Sequence, residues 1–384
     1  MASPSSAPSI LHHESEINSS EYPNPLLLNS STSLPVRSSG LGMSCFTMTF
    51  GAISNITALG ILAKSRVRFR RQAKAPFLLL AGALLLADLG GHVIPGAFAM
   101  YVHMDHSQRY KVAMHAIEPA KTFCQIFGAS MVFFGLCPLL LGCAMAVERC
   151  VGITQPLLHA ATITVTLVRR VVLLLSSLAL LLAALPLFAV GTYAPQFPGT
   201  WCFLPLHGPR STADTNLALA FSCLGLTALT LSLLCNIISG LALLQARVSS
   251  QNVKPKSAAR CHRHASSSSS SSSSSFCSLD VEMMAQLAVI TVVSCVCWSP
   301  FLIHILVSVM QFYQSSSASV PQPEGLTLLG LRMASWNQIL DPWVYILLRR
   351  AVLYRVCCAL HTEGSTTAAG SSCADSRRQI PSLH

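Results

Sequence analysis

Seven long runs of apolar residues, separated by short polar segments, dominate this chain of 384 residues. Each run reaches the length of about 20 residues that an α-helix needs to cross the hydrocarbon core of a bilayer. The apolar positions are continuous and do not alternate with polar ones, which argues against the strands of a membrane barrel. The pattern therefore predicts an all-α membrane protein with seven spanning helices, at 43–63, 76–102, 124–153, 168–190, 216–246, 281–313 and 326–348.

Composition supports the same class of protein. Hydrophobic residues make up 52% of the chain, charged residues make up 10%, and the mean hydropathy is +0.55. A soluble domain carries about a quarter charged residues. The net charge of +11 does not indicate nucleic acid as a partner, because the basic residues lie in short loops between the apolar runs.

Neither the cysteines nor the motifs indicate an enzyme. Most of the 15 cysteines lie inside the apolar runs, where they usually act as small packing residues. The paired CxxC spacing of a zinc site is missing, and so are the HExxH and GxSxG motifs of hydrolases. We therefore expect no enzymatic activity, no metal and no cofactor.

Basic residues predict the orientation in the membrane. They cluster between runs one and two, between runs five and six, and after run seven, whereas the segment before run one contains only Arg37. By the positive-inside rule, the N-terminus lies outside the cell and the C-terminus lies in the cytoplasm. We thus expect a multi-pass protein of the plasma membrane. The sequons at Asn18 and Asn29 would then be extracellular glycosylation sites.

This topology divides the chain into an extracellular tail at 1–42, a helical domain at 43–355 and a cytoplasmic tail at 356–384. A serine-rich cytoplasmic loop at 249–280 contains an unbroken serine run at 266–275, which is either a disordered linker or a phosphorylation cluster. A short basic amphipathic helix is predicted on the cytoplasmic surface after the last run. Cys357 and Cys358 in this region are either palmitoylated or unmodified.

One cation, Arg332, interrupts the seventh apolar run. Arg349 and Arg350 mark the membrane edge behind that run. At about 1.5 Å of helix rise per residue, Arg332 lies roughly 25 Å from this edge, in the outer third of the span. A cation at that depth costs a few kcal/mol or more without a partner, so Arg332 is a candidate functional residue. An anionic ligand that enters from outside would supply the partner.

Other polar residues lie deeper in the predicted spans. Asn55, Asp88, Asn337 and Asp341 are expected to meet near mid-depth. A buried carboxylate needs polar neighbours or a bound ion. The four residues form either a structural hydrogen-bond network or a switch that rearranges on activation.

Three short motifs mark the ends and bends of the spans. The opposite charges Glu148 and Arg149 end run three, where they form either a snorkelling pair or a functional site. Proline kinks a helix and creates a hinge, which is expected at Pro300 in run six, beside Trp298, and at Pro342 in run seven.

Together these motifs resemble those of rhodopsin-like (class A) G-protein-coupled receptors. The sequence 148–150 is similar to that family's Asp-Arg-Tyr motif, 297–300 to its Cys-Trp-x-Pro hinge, and 341–345, which ends at Tyr345, to its Asn-Pro-x-x-Tyr motif. The resemblance implies a disulfide between Cys124 and Cys202. It also implies a heterotrimeric G protein as partner, engaged or released by Arg149, together with receptor kinases, arrestin and membrane lipids.

Two further segments resemble the prostanoid receptors within that family: 198–203 in the second outer loop and 331–343 in span seven. This resemblance implies that Arg332 pairs with the carboxylate of a prostaglandin, since a guanidinium binds a planar carboxylate well. Thr200 would donate a further hydrogen bond to the same group. Additional ligand contacts are expected from His103, Tyr101, Trp336, Ser335 and Met131.

Three more stretches, at 131–143, 151–160 and 286–300, are most similar to prostaglandin E receptors that raise intracellular calcium through a Gq-class G protein. We therefore predict a prostaglandin E receptor of this coupling type. A receptor for an F-type prostaglandin or thromboxane is the alternative. An organic-anion transporter is more remote, because the two halves of the chain show no internal repeat.

Overall fold

The computed structural model describes residues 34–68, 75–109, 117–197, 199–206, 210–252, 271–314 and 324–347. Within these ranges the chain is helical apart from one small hairpin, and Leu41–His384 forms one compact unit. The elements are α1 (Leu34–Arg68), α2 (Ala75–Arg109), α3 (Ile117–Thr154), α4 (Pro156–Thr162), α5 (Val165–Ala184), a 3-10 turn (Leu185–Phe188), β1 (Ala194–Gln196), β2 (Trp201–Phe203), α6 (Thr212–Asn252), α7 (Ser271–Gln314) and α8 (Glu324–Leu347).

Six of the described helices are long and apolar enough to cross a membrane, and they coincide with the first six predicted runs. These segments are Gly42–Lys64, Ala75–Val102, Thr122–Thr154, Val165–Phe188, Thr212–Ala246 and Leu287–Gln314. The seventh helix, α8, forms where it was predicted, but it is not among the segments that meet this standard. Arg332, Asn337, Gln338 and Asp341 interrupt its apolar positions, which is why it falls below that standard.

Several elements extend beyond the predicted spans or were not predicted. Helix α6 continues to Asn252 and α7 begins at Ser271, so both ends of the predicted serine-rich loop are helical. The apolar run sets only the minimum length of a spanning helix, and the backbone hydrogen bonds continue beyond it. The short helix α4 and the β1–β2 hairpin carry no apolar run and were therefore missed.

Helix α3 lies at the centre of the bundle. It packs against α2, α5 and α6, while α6 packs against α7 and α7 against α8. Large side chains such as Phe127, Leu136 and Met145 on α3 are fully buried in this core. Glycine permits one close approach: a Cβ at Gly330 on α8 would lie 3.0 Å from the Cα of Phe301 on α7. The backbones of α7 and α8 are thus nearly in contact at this level.

The hairpin of β1 and β2, here called the lid, joins α5 to α6. The strands pair antiparallel, with Pro195 opposite Cys202. Gly199 adopts a positive φ of 87° in the turn, which glycine does without steric cost, and its N–H donates to the Gln196 carbonyl over 2.6 Å. A disulfide from Cys202 to Cys124 fixes the lid to α3 with a Cα–Cα distance of 5.5 Å, and this confirms the predicted pairing.

Hydrogen bonds hold the lid to the neighbouring helices. The Tyr193 hydroxyl donates to the Ala183 carbonyl at the end of α5 over 2.8 Å, and burial raises the pKa of this hydroxyl, so it stays protonated. The Asp214 carboxylate, in the first turn of α6, accepts from the N–H groups of Thr192 (2.6 Å) and Ser211 (2.9 Å) and from both of their hydroxyls. The lid is therefore anchored at both of its ends.

Candidate ligand-binding and signalling site

Arg332 lies on α8 toward the end of the bundle that carries the Cys124–Cys202 disulfide, here called the disulfide end. It is two residues from Gly330, which packs on Phe301, and Phe301 contacts the lid residue Phe203 with ring centroids 5.5 Å apart. The Arg332 side chain is exposed. Among the described residues, no carboxylate lies within ion-pair distance of it. Its guanidinium can therefore accept an anionic partner.

The other predicted ligand contacts are distributed over three elements. Tyr101 on α2 is 55% exposed, and its ring centroid lies 5.0 Å from that of Phe123 on α3. Thr200 is half-buried in the turn of the lid, and Met131 is half-buried on α3. The side chain of His103 lies outside the described part of the structure.

Two of the predicted contacts accompany Arg332 on α8. Ser335 and Trp336 are both half-buried. The Ser335 hydroxyl donates to the carbonyl of Leu331 over 3.0 Å, so its proton is engaged within its own helix. As a ligand contact, Ser335 would act mainly as an acceptor.

A chain of aromatic rings connects the lid to the predicted hinge of α7. Phe203 on β2 contacts Phe221 on α6 and Phe301 on α7, at centroid distances of 5.3 and 5.5 Å. Phe301 contacts Trp298, one turn along α7, at 6.3 Å. Edge-to-face and tilted rings at these separations attract each other beyond simple burial. Direct ring contacts therefore connect the lid to Trp298, two residues from Pro300.

The four polar residues expected at mid-depth are all buried in α1, α2 and α8. The Asn55 amide donates to the carbonyls of Gly51 (3.0 Å) and Gln338 (3.2 Å), and the Asn337 amide donates to the Asp341 carboxylate over 3.1 Å. Asp88 is close enough to Asp341 for the two carboxyl groups to interact electrostatically. These four residues are here called the polar cluster; its hydrogen bonds connect α1 to α8, and Asp88 of α2 lies beside them.

The polar cluster is only partly hydrogen bonded. Both carboxylate oxygens of Asp88 and one side-chain oxygen each of Asn55, Asn337 and Asp341 are buried without a partner among the described residues. Buried polar atoms without partners cost free energy, so this arrangement is not saturated. No group of three or more His, Cys, Asp or Glu residues in the described ranges is placed to hold a metal ion.

Gln338 joins the polar cluster to α3, a role that the sequence did not reveal. Its side-chain amide donates to the main-chain carbonyl of Phe134 over 2.8 Å, while the main-chain carbonyl of Gln338 accepts from Asn55. The residue follows Asn337 in the motif of span seven, but nothing in its spacing distinguishes a bridge to another helix from a packing residue.

Glu148 and Arg149 lie at the opposite end of the bundle, here called the Arg149 end. The Arg149 guanidinium donates to Glu148 through Nε (2.7 Å) and Nη2 (3.1 Å), and His159 on α4 donates to the same carboxylate over 2.9 Å. The Arg149 guanidinium also stacks on the Phe77 ring at 4.4 Å. The pair is thus held from α2 and α4. The contact of His159 was missed because α4 was not predicted, and the contact of Phe77 depends on the packing of α2 against α3, which the sequence pattern does not show.

The remaining predicted positions are only partly described. Pro300 and Pro342 both lie inside helices, as expected for hinges. The side chain of Tyr345 is outside the described part of the structure, as are Asn18, Asn29, Cys357 and Cys358. The predicted surface helix after span seven also lies beyond the described residues.

Comparisons with known proteins agree with these observations. The sequence profile described as "7 transmembrane receptor (rhodopsin family)" matches residues 55–345. The Rattus norvegicus protein named "Prostaglandin E2 receptor EP1 subtype" is 45% identical over 359 residues, which cover 86% of this chain and 85% of the rat protein. The Homo sapiens "Prostaglandin F2-alpha receptor" is 40% identical over 345 residues, which cover 88% of each chain.

A solved structure, that of squid rhodopsin, matches with a TM-score of 0.64 over 84% of this chain and 80% of the rhodopsin chain, at 12% identity. This likeness concerns the fold alone, because the identity is low. The family profile covers most of the described helices, and the similar receptors align over more than four fifths of both chains. The chain therefore belongs to the rhodopsin family of seven-transmembrane receptors and, within it, to the prostanoid receptors, which are multi-pass membrane receptors and not enzymes.

Proposed function

We propose that this receptor binds an E-type prostaglandin through Arg332 and activates a heterotrimeric G protein of the Gq class, which raises intracellular calcium. The observation that carries the proposal is the exposed guanidinium of Arg332 in a membrane helix, with no carboxylate near it among the described residues. Its likeness to receptors named for prostaglandin E2 supports the choice of ligand.

Prostaglandins are fatty acids that carry one carboxylate, which a guanidinium recognises through charge-assisted hydrogen bonds. Thr200 in the turn of the lid is half-buried and able to donate a further hydrogen bond to the same carboxylate. The half-buried side chains of Met131 and Trp336 supply apolar surface for the hydrocarbon chain. Tyr101 and His103, at the end of the second span, complete the proposed contacts.

The aromatic contacts support a route for the signal. A ligand beneath the lid biases Phe203 and Phe301, and these rings contact Trp298 at the Pro300 hinge of α7. The ligand transmits a signal only if it binds the active arrangement more tightly than the inactive one. The unsaturated polar cluster supplies side chains that can change partners between the two arrangements. Arg149, now paired with Glu148, is the residue proposed to engage the G protein.

The orientation and modifications follow the sequence prediction. The disulfide end faces the outside of the cell, where an oxidising environment maintains the Cys124–Cys202 bridge. The Arg149 end faces the cytoplasm and the G protein, and receptor kinases and arrestin act on the same side. Asn18 and Asn29 are proposed as glycosylation sites, and Cys357 and Cys358 as palmitoylation sites.

Binding of tritiated prostaglandin E2 to membranes that contain Arg332→Ala tests the ligand site. Loss of a hydrogen-bonded ion pair costs about 1.5–3 kcal/mol, which predicts roughly 10- to 150-fold weaker binding. Arg170→Ala is the matched control, because Arg170 is an exposed arginine on a different membrane helix, and it should bind as the unchanged receptor does.

The methyl ester of prostaglandin E2 separates the ion pair from general damage to the pocket. The ester lacks the charge, so it should bind the unchanged receptor weakly and lose little more affinity in Arg332→Ala. Equal losses for acid and ester would show that Arg332 supports the fold of the pocket and does not pair with the carboxylate.

Calcium release in cells, with and without an inhibitor of Gq-class proteins, tests the coupling. We expect prostaglandin E2 to release calcium and the inhibitor to abolish the response. A change in cyclic AMP without calcium release would contradict the proposed coupling while leaving the ligand intact. A stronger response to an F-type prostaglandin would favour the alternative suggested by the likeness to F2-alpha receptors.

A further inference from the structure

A cavity of about 350 Å³ opens between α3, α5 and α6, in the half of the bundle near Arg149. Its volume falls within the range of about 300–1,000 Å³ that is usual for small-molecule sites. Apart from Glu148 and Thr227, its walls are apolar, with Ala144 on α3, Leu175 on α5 and Leu231 on α6 as examples. Its α3 wall runs from Leu140 to Val151, near the Arg149 end, whereas the proposed prostaglandin site lies at the disulfide end.

The mouth of the cavity faces the membrane. Thr227, Leu231 and Leu167 line it, are exposed on the surface of the bundle, and lie inside the spans Thr212–Ala246 and Val165–Phe188. The surroundings of these positions are hydrocarbon, not water. An occupant therefore reaches the cavity from within the bilayer.

The single charged residue among the described residues of the wall, Glu148, does not call for a charged occupant. Glu148 lines the cavity, but its two carboxylate oxygens already accept from Arg149 at 2.7 and 3.1 Å and from His159 at 2.9 Å. A cationic group is therefore not needed to balance Glu148, and the described lining contains no basic side chain that would pair with an anionic group. The walls match an uncharged hydrocarbon chain.

We propose that this cavity binds one acyl chain of a bilayer phospholipid, and that the bound chain stabilises the ion pair between Glu148 and Arg149. The chain excludes water from the carboxylate in the wall. Charges attract each other more strongly where the local dielectric is lower, so the occupied cavity favours the arrangement in which Glu148 holds Arg149. The acyl chain then acts as a negative regulator of G-protein activation. This regulatory step rests on the role proposed above for Arg149, whereas the binding step does not.

Photolabelling tests the binding step. The full-length receptor is reconstituted in nanodiscs with phosphatidylcholine that carries a diazirine on its acyl chain, and the labelled residues are mapped by mass spectrometry. We expect label on the inner wall of the cavity at Cys143 and Ala144 of α3, which are only partly exposed and are reached through the mouth.

Two matched variants control for ordinary lipid contact. Thr227→Phe places a large ring at the mouth and should reduce labelling of Cys143 and Ala144 severalfold. Thr230→Phe adds the same ring at another exposed threonine of α6 that does not line the cavity, and it should leave that labelling unchanged. Absence of label on α3 in the unchanged receptor, or label that persists in Thr227→Phe, would overturn the binding site. Size-exclusion profiles and melting temperatures confirm that both variants are folded.

Basal nucleotide exchange on a purified G protein tests the regulatory step. Ala144→Phe fills the cavity from its α3 wall, mimics the bound chain, and should lower basal exchange severalfold relative to Thr230→Phe. If basal nucleotide exchange is unchanged while Cys143 and Ala144 are photolabelled, the regulatory role is overturned and the lipid-binding site stands. Absence of prostaglandin-stimulated exchange in the unchanged receptor would contradict the proposed receptor function instead, and the photolabelling would still decide the lipid site.

Discussion

Two buried regions of the receptor differ in how fully their aspartate side chains are hydrogen bonded. At the lid, Asp214 is 3% exposed, and each of its carboxylate oxygens accepts hydrogen bonds from both a backbone N–H and a hydroxyl. In the polar cluster, Asp88 is fully buried, and neither of its oxygens has a partner among the described residues. Both oxygens of Asp214 are thus fully hydrogen bonded, whereas those of Asp88 are not.

The difference assigns distinct physical roles to the two regions. A saturated carboxylate fixes the chain around it, since every alternative arrangement loses hydrogen bonds. An unsaturated buried carboxylate leaves room for arrangements that satisfy it better, so small changes in the surroundings can redistribute its partners. In the proposed function, we therefore expect the lid to act as a fixed frame and the polar cluster to act as the part of the bundle that switches.

Removal of the disulfide should have the largest effect, because it detaches the lid from α3. The Cys124–Cys202 bridge closes a loop with a sequence separation of 78 residues, and loss of such a bridge typically costs about 2–4 kcal/mol. We predict that Cys202→Ser lowers the melting temperature of the purified receptor and weakens prostaglandin binding. Cys223→Ser, which changes an exposed free cysteine of α6, should do neither. Equal melting curves for the two variants would show that the lid is held without its disulfide.

Asp214→Asn should have the next largest effect. An amide nitrogen replaces one carboxylate oxygen and faces N–H and hydroxyl donors, so charge-assisted hydrogen bonds worth about 1.5–3 kcal/mol are lost. We predict a lower melting temperature and faster hydrogen exchange at the Thr192 amide. An unaltered exchange rate at Thr192 would mean that the disulfide alone orders the lid.

Asp88→Asn should have the smallest effect on stability and a clear effect on signalling. The substitution keeps nearly the same volume and removes no hydrogen bond, because both oxygens of the buried Asp88 side chain already lack partners among the described residues, so its effect on stability is small. We therefore predict a nearly unchanged melting temperature, together with an altered concentration dependence of calcium release. Destabilisation as large as that of Asp214→Asn would show that Asp88 is as firmly hydrogen bonded as Asp214 and would remove the contrast.

The sequence predicted the features that depend on local pattern. Six spans coincide with helices that can cross a membrane, and the seventh helix forms where its apolar positions begin. The disulfide was predicted from a family resemblance and is confirmed. The contacts made by His159 and Gln338 were missed, since each depends on a partner far away in the fold or on an element without periodicity.

By itself, the sequence determined that the chain is a bundle of membrane helices with a cation in the seventh span. Continuous apolar runs favour only one structure in hydrocarbon, where the backbone must satisfy its own hydrogen bonds. The tertiary structure alone decided which buried polar groups are saturated and which are not. That outcome depends on the approach of helices distant in sequence, such as Asn55 to Gln338 and Gln338 to Phe134, because hydrogen bonds form only at short range.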